Sequence, residues 1–125
     1  LITGAKNLFP DKKCTVVFQP HLFSRTRDFV DGFAEVLDLA DEIILLPIYP
    51  ARELPMEGVS SQMILDRMHS EDRMLLSKEN LLKHFSLEKD AHVEEGFTGN
   101  MVITAGAGDI DTLVEPIKEI LINKN

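Results

Sequence analysis

Three short runs of this chain are apolar at every position or nearly so: Thr15–Phe18 (TVVF), Ile43–Leu46 (IILL) and Met101–Thr104 (MVIT). A strand with one face in water alternates polar and apolar residues, so runs without alternation need cover on both faces. The segments between them carry helical spacing instead. Phe29, Val30, Phe33, Ala34 and Leu37 recur on one stripe, as do Met63, Ile64, Arg67 and Met68, and Ile110, Leu113, Val114, Ile117, Ile120 and Leu121. Strands that alternate with helices must be joined by crossovers, which forces parallel pairing and right-handed connections. The expected fold is therefore α/β, a three-layer, mostly parallel open sheet of the Rossmann-like kind. With 125 residues, positions 1–125 are read as one domain.

Turn chemistry places the remaining boundaries. Ile2, Ala5 and Leu8 suggest a helix tail that Phe9-Pro10-Asp11 ends. Pro20 ends the first strand, because a proline cannot continue a central ladder. Ser24 is expected to cap the next helix, running over Phe29–Leu39, and Ser60 or Ser61 the one through Met68. Ala51–Val59, with Pro55 and Gly58, is a loop. Arg73–Leu76 reads as a short strand and Glu79–Phe85 as a short helix. Leu87–Glu95 reads as linker or further helix, and Gly96–Asn100 as a turn. Asp109 is expected to cap the last helix, in which Pro116 predicts a kink or a restart.

Parallel topology then gathers three unusual segments at one edge of the sheet: Gln19–Arg27, Tyr49–Glu53 and Ala105–Asp109. Open parallel sheets bind ligands beyond the carboxyl ends of their strands. The first segment is the most informative. A helix start favours acids, yet Arg25 and Arg27 stand in what reads as a first turn. Either Asp28 and Asp31 compensate them, or a bound anion does. Arg25 offers a fork suited to carboxylate or phosphate, and Ser24 and Thr26 offer hydroxyl donors to the same anion. His21 reads either as a structural turn residue or as a partner for a carboxylate. In the second segment Arg52 and Glu53 place opposite charges on a strand-end loop beside Tyr49. In the third, Gly106, Ala107, Gly108 and Asp109 open a helix with free N–H groups. That run lacks the third glycine of the dinucleotide fingerprint and the Lys-Ser/Thr of a P-loop, so a tight turn competes with a phosphate cradle.

Other chemistries find little support. The net charge of −8 argues against non-specific nucleic-acid binding and against adhesion to anionic membranes. Cys14 is the single cysteine, which fits a reducing cytoplasm and excludes a disulfide framework. His21, His69, His84 and His92 show no metal-ligand spacing, so no metal site is expected. No nucleophile sits on an elbow motif, and no catalytic residue is expected within the chain itself. Leu1-Ile2-Thr3-Gly4 has no initiator methionine, and the chain is expected to be a fragment of a longer one.

The stretches PHLFSRTRDFVDGFAEVL, DEIILLPIYPARELPMEGVSS and VITAGAGDI, in that order, resemble the carboxy-terminal domain of the Mur ligases, most nearly the alanine-adding kind. The resemblance covers nearly the whole chain. It implies the third domain of a three-domain, ATP-dependent, amide-forming ligase of peptidoglycan synthesis, presenting the amino acid and closing the site but inactive alone. It implies UDP-N-acetylmuramate, L-alanine and ATP as partners of the full-length enzyme, with ATP and Mg held mainly by a central domain. His21 and Arg25 match the family's His-x-x-Ser/Thr-Arg motif, Tyr49–Glu53 its Tyr-Pro-Ala-x-Glu loop, and Gly106–Asp109 its Gly-Ala-Gly-Asp/Asn turn. Leu22 stands where many members have a second arginine, with Arg27 as the nearby replacement. A muropeptide-recycling ligase of the same family is the alternative, and a flavodoxin-like binding module is a third. The strand ends Gln19-Pro20-His21 and Pro47-Ile48-Tyr49 lack the acidic residues that a receiver of that last type needs.

Overall fold

The computed structural model describes residues 1–88, 99–106 and 109–122. Four strands, β1 (Lys12–Gln19), β2 (Glu42–Leu45), β3 (Arg73–Leu75) and β4 (Gly99–Gly106), form one sheet in the order β3-β2-β1-β4. Every pairing among the described residues is parallel. β1 is longer than its apolar run because β4 pairs with it along its whole length, from Lys12 opposite Gly99 to Gln19 opposite Gly106.

The two faces of the sheet separate cleanly by the parity of each strand. Cys14, Val16, Ile43 and Leu45 face one way, onto α1 (Ile2–Leu8), α2 (Phe23–Leu37) and α3 (Gln62–Arg67). Val17, Ile44 and Leu46 face the other, onto α4 (Lys78–Glu88), a 3-10 turn at Asp109–Leu113 and α5 (Val114–Ile122). Ile43, Ile44, Leu45 and Leu46 are all 0% exposed, which is why that run shows no alternation. The three expected layers are present.

Several local expectations need correction. Ser24 is not the N-cap of α2. The helix starts earlier, at Phe23, because Leu22 takes φ 71° and ψ 135° and turns the chain into it. Phe29 is not on the buried stripe. Its backbone (φ −119°, ψ 20°) kinks α2, and the buried face runs through Thr26, Val30, Ala34 and Leu37, leaving Phe29 58% exposed. The helix also stops at Leu37 rather than Leu39. Ser61 stands at the start of α3, but its hydroxyl donates to the Leu46 carbonyl at 2.6 Å instead of capping. A buried strand-end carbonyl is costly to leave unpaired, so that bond outcompetes the cap. Pro116 does mark a restart: α5 begins at Val114 after the 3-10 turn, so its missing N–H falls in the first helical turn. Residues 89–98, Ala107 and Gly108, and the expected capping side chain of Asp109, lie outside what is described.

Chain order and sheet order together locate the crevices. β1 and β2 are followed by helices on one face, while β3 and β4 are followed by helices on the other. In the order β3-β2-β1-β4 the exits therefore diverge twice, between β1 and β4 and between β3 and β2. Divergent exits open a crevice at the carboxyl edge.

Candidate functional site at the carboxyl edge of the sheet

The Gln19–Arg27 and Tyr49–Glu53 segments are stitched together residue by residue. Tyr49 N–H donates to the Pro20 carbonyl at 2.8 Å, and Leu22 N–H donates to the Tyr49 carbonyl at 2.9 Å. These bonds extend the β1–β2 ladder beyond both strands, and His21 pairs with Tyr49 as a parallel bridge. The two rings stack with centroids 5.9 Å apart and planes 20° from parallel. On the other side of β1, Gln19 is in register with Gly106. Gly106 has φ 126°, and a Cβ there would collide with the backbone carbonyl of Gln19. The end of β4 thus requires glycine at Gly106, and the Gln19–Arg27 and Tyr49–Glu53 segments meet the described start of the third, Ala105–Gly106, at one rim.

The start of α2 holds the chain's own anion. Glu53 accepts the Ser24 N–H at 3.1 Å on one carboxylate oxygen and the Ser24 hydroxyl on the other. The Ser24 hydroxyl, backbone N–H groups of Ser24 and Phe23, and the Arg27 charge together hold the Glu53 carboxyl below the usual glutamate range, against an opposing desolvation effect. No acid lies in the first turn of α2 itself, so the loop supplies what the helix lacks. Thr26 is fully buried and its hydroxyl donates to the Leu22 carbonyl at 2.9 Å, closing the same turn. The hydroxyls of Ser24 and Thr26, expected as donors to a ligand, are both spent inside the chain.

The cations divide. Arg27 is compensated locally: its Nε donates to Asp28 at 2.9 Å, which lowers the Asp28 carboxyl, and it also touches the Met56 sulfur at 3.8 Å. Asp31 pairs with Arg67 at 2.5 Å, not with the arginines of its own helix start. Arg25 and Arg52 are exposed, and among the described residues neither forms an ion pair. Arg25 is thus the cation of the first helical turn left without an internal acid, one residue beyond the point that Glu53 clamps. Among the described residues no group of three or more His, Cys, Asp or Glu side chains is placed to hold a metal ion.

Two features of this edge were missed from the sequence. Glu53 is expected from the sequence as a binding residue of the strand-end loop, paired in charge with Arg52, whereas its carboxylate anchors the start of α2. Gln19 was placed on the rim but given no role, although it shares the parity of Thr15 and Val17 and is 5% exposed. That parity, a polar residue continuing a buried face, was the available signal.

No family model matches the chain. It is 50% identical over 122 residues to a protein of Flavobacterium johnsoniae named UDP-N-acetylmuramate–L-alanine ligase, covering 98% of this chain and 25% of that one. Proteins of the same name from Cytophaga hutchinsonii and Parabacteroides distasonis are 50% and 48% identical, covering 94% and 96% of this chain. The chain spans about a quarter of the length of these curated relatives. Over that segment it is a homologue of ligases bearing this name.

Proposed function

We propose that this chain is the carboxy-terminal domain of an ATP-dependent ligase that joins L-alanine to UDP-N-acetylmuramate in peptidoglycan synthesis, forming an amide bond. Identity of about half the residues over nearly its whole length supports that reading. The observation that carries the site is the unpaired guanidinium of Arg25 on a turn fixed from two sides.

On this reading positions 1–125 form one domain of a longer chain and present substrate to chemistry performed elsewhere. Arg25 binds a carboxylate of the incoming amino acid or of the muramyl end through its two-pronged fork. His21, held face to face with Tyr49, borders the same anion, and Arg52 on the facing loop adds a second positive charge. Ser24, Thr26 and Glu53 act one step back. They fix the first turn of α2 so that Arg25 departs from a defined position, which is what positioning of a reactant demands. Arg27 is assigned to the rim, with its charge balanced by Asp28. Gly106 keeps β4 close against Gln19, and Ala107, Gly108 and Asp109, which follow it in sequence, are assigned to the same anion by their match to the family's motif.

Among the described residues no group of three or more His, Cys, Asp or Glu side chains is placed to hold a metal ion, and the sequence has no Gly-rich Lys-Ser/Thr loop of the P-loop kind. On the family resemblance, ATP and Mg2+ are held mainly by a central domain of the ligase, and what this domain contributes is binding, orientation and closure. The test is phosphate release by the full-length protein that carries this chain, given UDP-N-acetylmuramate, ATP and Mg2+. Release that depends on added L-alanine is expected. Turnover with a ready-made peptide but not with alanine would move the chain to muropeptide recycling, and no turnover with either would sink the ligase reading.

A further inference from the structure

Two prolines frame the rim in mirror order, Pro20-His21 on one segment and Tyr49-Pro50 on the other. Proline fixes its own φ, and the residue before a proline is confined to extended backbone. Both conditions favour a straight continuation of the β1–β2 ladder, and the chain takes it. The Tyr49 N–H donates to the Pro20 carbonyl at 2.8 Å, and the Tyr49 carbonyl accepts the Leu22 N–H at 2.9 Å. His21 is the residue between those two contacts. Its backbone is therefore held on both sides by Tyr49, through main-chain bonds that do not depend on the tyrosine side chain.

Only the side-chain torsions of His21 remain to be fixed. Residues paired across neighbouring strands share a face of the sheet, and His21 and Tyr49 are such a pair. Their half-buried rings lie with centroids 5.9 Å apart and planes 20° from parallel. That separation falls inside the range of favourable aromatic pairs, about 4.5–7 Å. An imidazole that already keeps one orientation loses less freedom when it meets an anion. Glu53 orders the main chain beneath Arg25 through Ser24, and the Tyr49 ring does the equivalent for the imidazole.

We propose that Tyr49 is a positioning residue and not a contact to substrate: its ring holds the His21 imidazole in one orientation, and it affects substrate use only through His21. The inference rests on the ligase reading, which makes the anion at this rim a substrate carboxylate.

The experiment joins a double-mutant cycle in kcat/KM to NMR of the histidine rings, both on the full-length protein that carries this chain. Phosphate release is measured against L-alanine and against UDP-N-acetylmuramate. His21→Ala is expected to weaken the use of at least one of them. Tyr49→Leu is expected to lower the same kcat/KM by about 3–10-fold, the value of one immobilised side chain. Tyr49→Phe keeps the ring and should restore most of that loss. In the His21→Ala background Tyr49→Leu should cost nothing more, because the two residues act as a unit. Full additivity, no effect of His21→Ala, or a loss in Tyr49→Phe as large as in Tyr49→Leu would each overturn the proposal. The NMR comparison needs no turnover. The His21 signals, identified by their absence in His21→Ala, should be displaced by the neighbouring ring in the parent and in Tyr49→Phe. In Tyr49→Leu they should move to free-histidine positions, while those of His69 and His84 stay in place. Free-histidine positions in the parent would overturn the proposal whether or not Tyr49→Leu folds. A parent without turnover whose His21 signals still depend on Tyr49 would fail the ligase reading and leave the stack upheld.

Discussion

Ser24 is held twice by one carboxylate: its backbone N–H and its hydroxyl each donate to a different oxygen of Glu53, 29 residues further along the chain. This clamp replaces a local N-cap with one delivered by the neighbouring strand's loop. It fixes the helix start and the loop together, so each should lose order when the other is disturbed. Glu53→Gln keeps the shape and one acceptor but removes the charge, and is expected to lower the melting temperature. The pH dependence should follow with a definite sign. A carboxyl depressed in the folded state contributes stability that is full above its unfolded value and is lost as pH falls through the folded value. Thermal melts of the parent should therefore drop as pH falls below about 4.3, the ordinary glutamate value. The Glu53→Gln melts should lack that component of the drop.

Leu22 carries φ 71° with ψ 135°, a conformation that a side chain disfavours by about 1–3 kcal/mol. The strain is held by the bonds on either side, Leu22 N–H to the Tyr49 carbonyl and the Thr26 hydroxyl to the Leu22 carbonyl. Leu22→Gly removes the strain but loses some apolar contact and adds about 0.5–1 kcal/mol of backbone entropy cost. The two effects nearly offset, so its melting temperature should stay close to the parent's. Leu22→Val, branched at Cβ, should be clearly less stable than either. Differential scanning calorimetry of the three gives the order.

Gly106 meets a harder constraint. With φ 126° and the Gln19 carbonyl against the place a Cβ would fill, Gly106→Ala has both a forbidden backbone and a collision with main chain. Side-chain repacking cannot relieve either. A loss of about 2–4 kcal/mol is expected, at the upper end for single substitutions. Hydrogen exchange should show it first in the β1–β4 ladder, whose last pair is Gln19 with Gly106.

Much of this was legible before any coordinates. The apolar runs at Ile43–Leu46 and Thr15–Phe18 demanded a two-sided sheet, and parallel pairing then brought His21, Tyr49 and Gly106 to one edge. Local pattern could not foresee which partner each polar group would choose. Ser24 and Ser61 look like caps because their types favour that role, yet each finds a stronger acceptor supplied by a different strand: Glu53 after β2 for Ser24, the Leu46 carbonyl for Ser61. Leu22 gives no warning either, since nothing about leucine announces a positive φ. Phe29 misled because helical spacing was counted as if α2 were straight, and the kink at Phe29 itself rotates it off the stripe. Tertiary contacts decided all four.

Cys14 is 0% exposed, and burial, with the Asp41 carboxylate nearby, pushes its thiol up from the ordinary cysteine value. Its backbone N–H donates to the same carboxylate at 2.8 Å, so the negative charge is held in place. Since the thiolate is the reactive species, Cys14 should be inert in the native protein. Labelling with iodoacetamide at pH 8 is expected to proceed only as fast as the β1–β2 region opens, and to become rapid in denaturant. Fast native labelling would mean that the region around Cys14 is open to solvent in the native protein.

Arg25 separates the functional reading from a structural one. It is exposed, it has no acid partner among the described residues, and it sits in the turn where a helix start disfavours a cation. Removing it should therefore cost the fold nothing, and should relieve a small repulsion. Arg25→Ala in the full-length protein is expected to shift the melting temperature by no more than about 2 °C. If the guanidinium binds a substrate carboxylate, the same change should lower kcat/KM by about 10–100-fold, the value of a charged hydrogen-bonded contact. Arg25→Lys keeps the charge but loses the fork, so partial recovery would separate charge from geometry. Arg27→Ala is the control, since Asp28 already balances that cation, and its kcat/KM should change by less than about threefold. Unchanged kinetics for Arg25→Ala beside a lowered melting temperature would make Arg25 a structural residue and leave the rim without its anion-binding group.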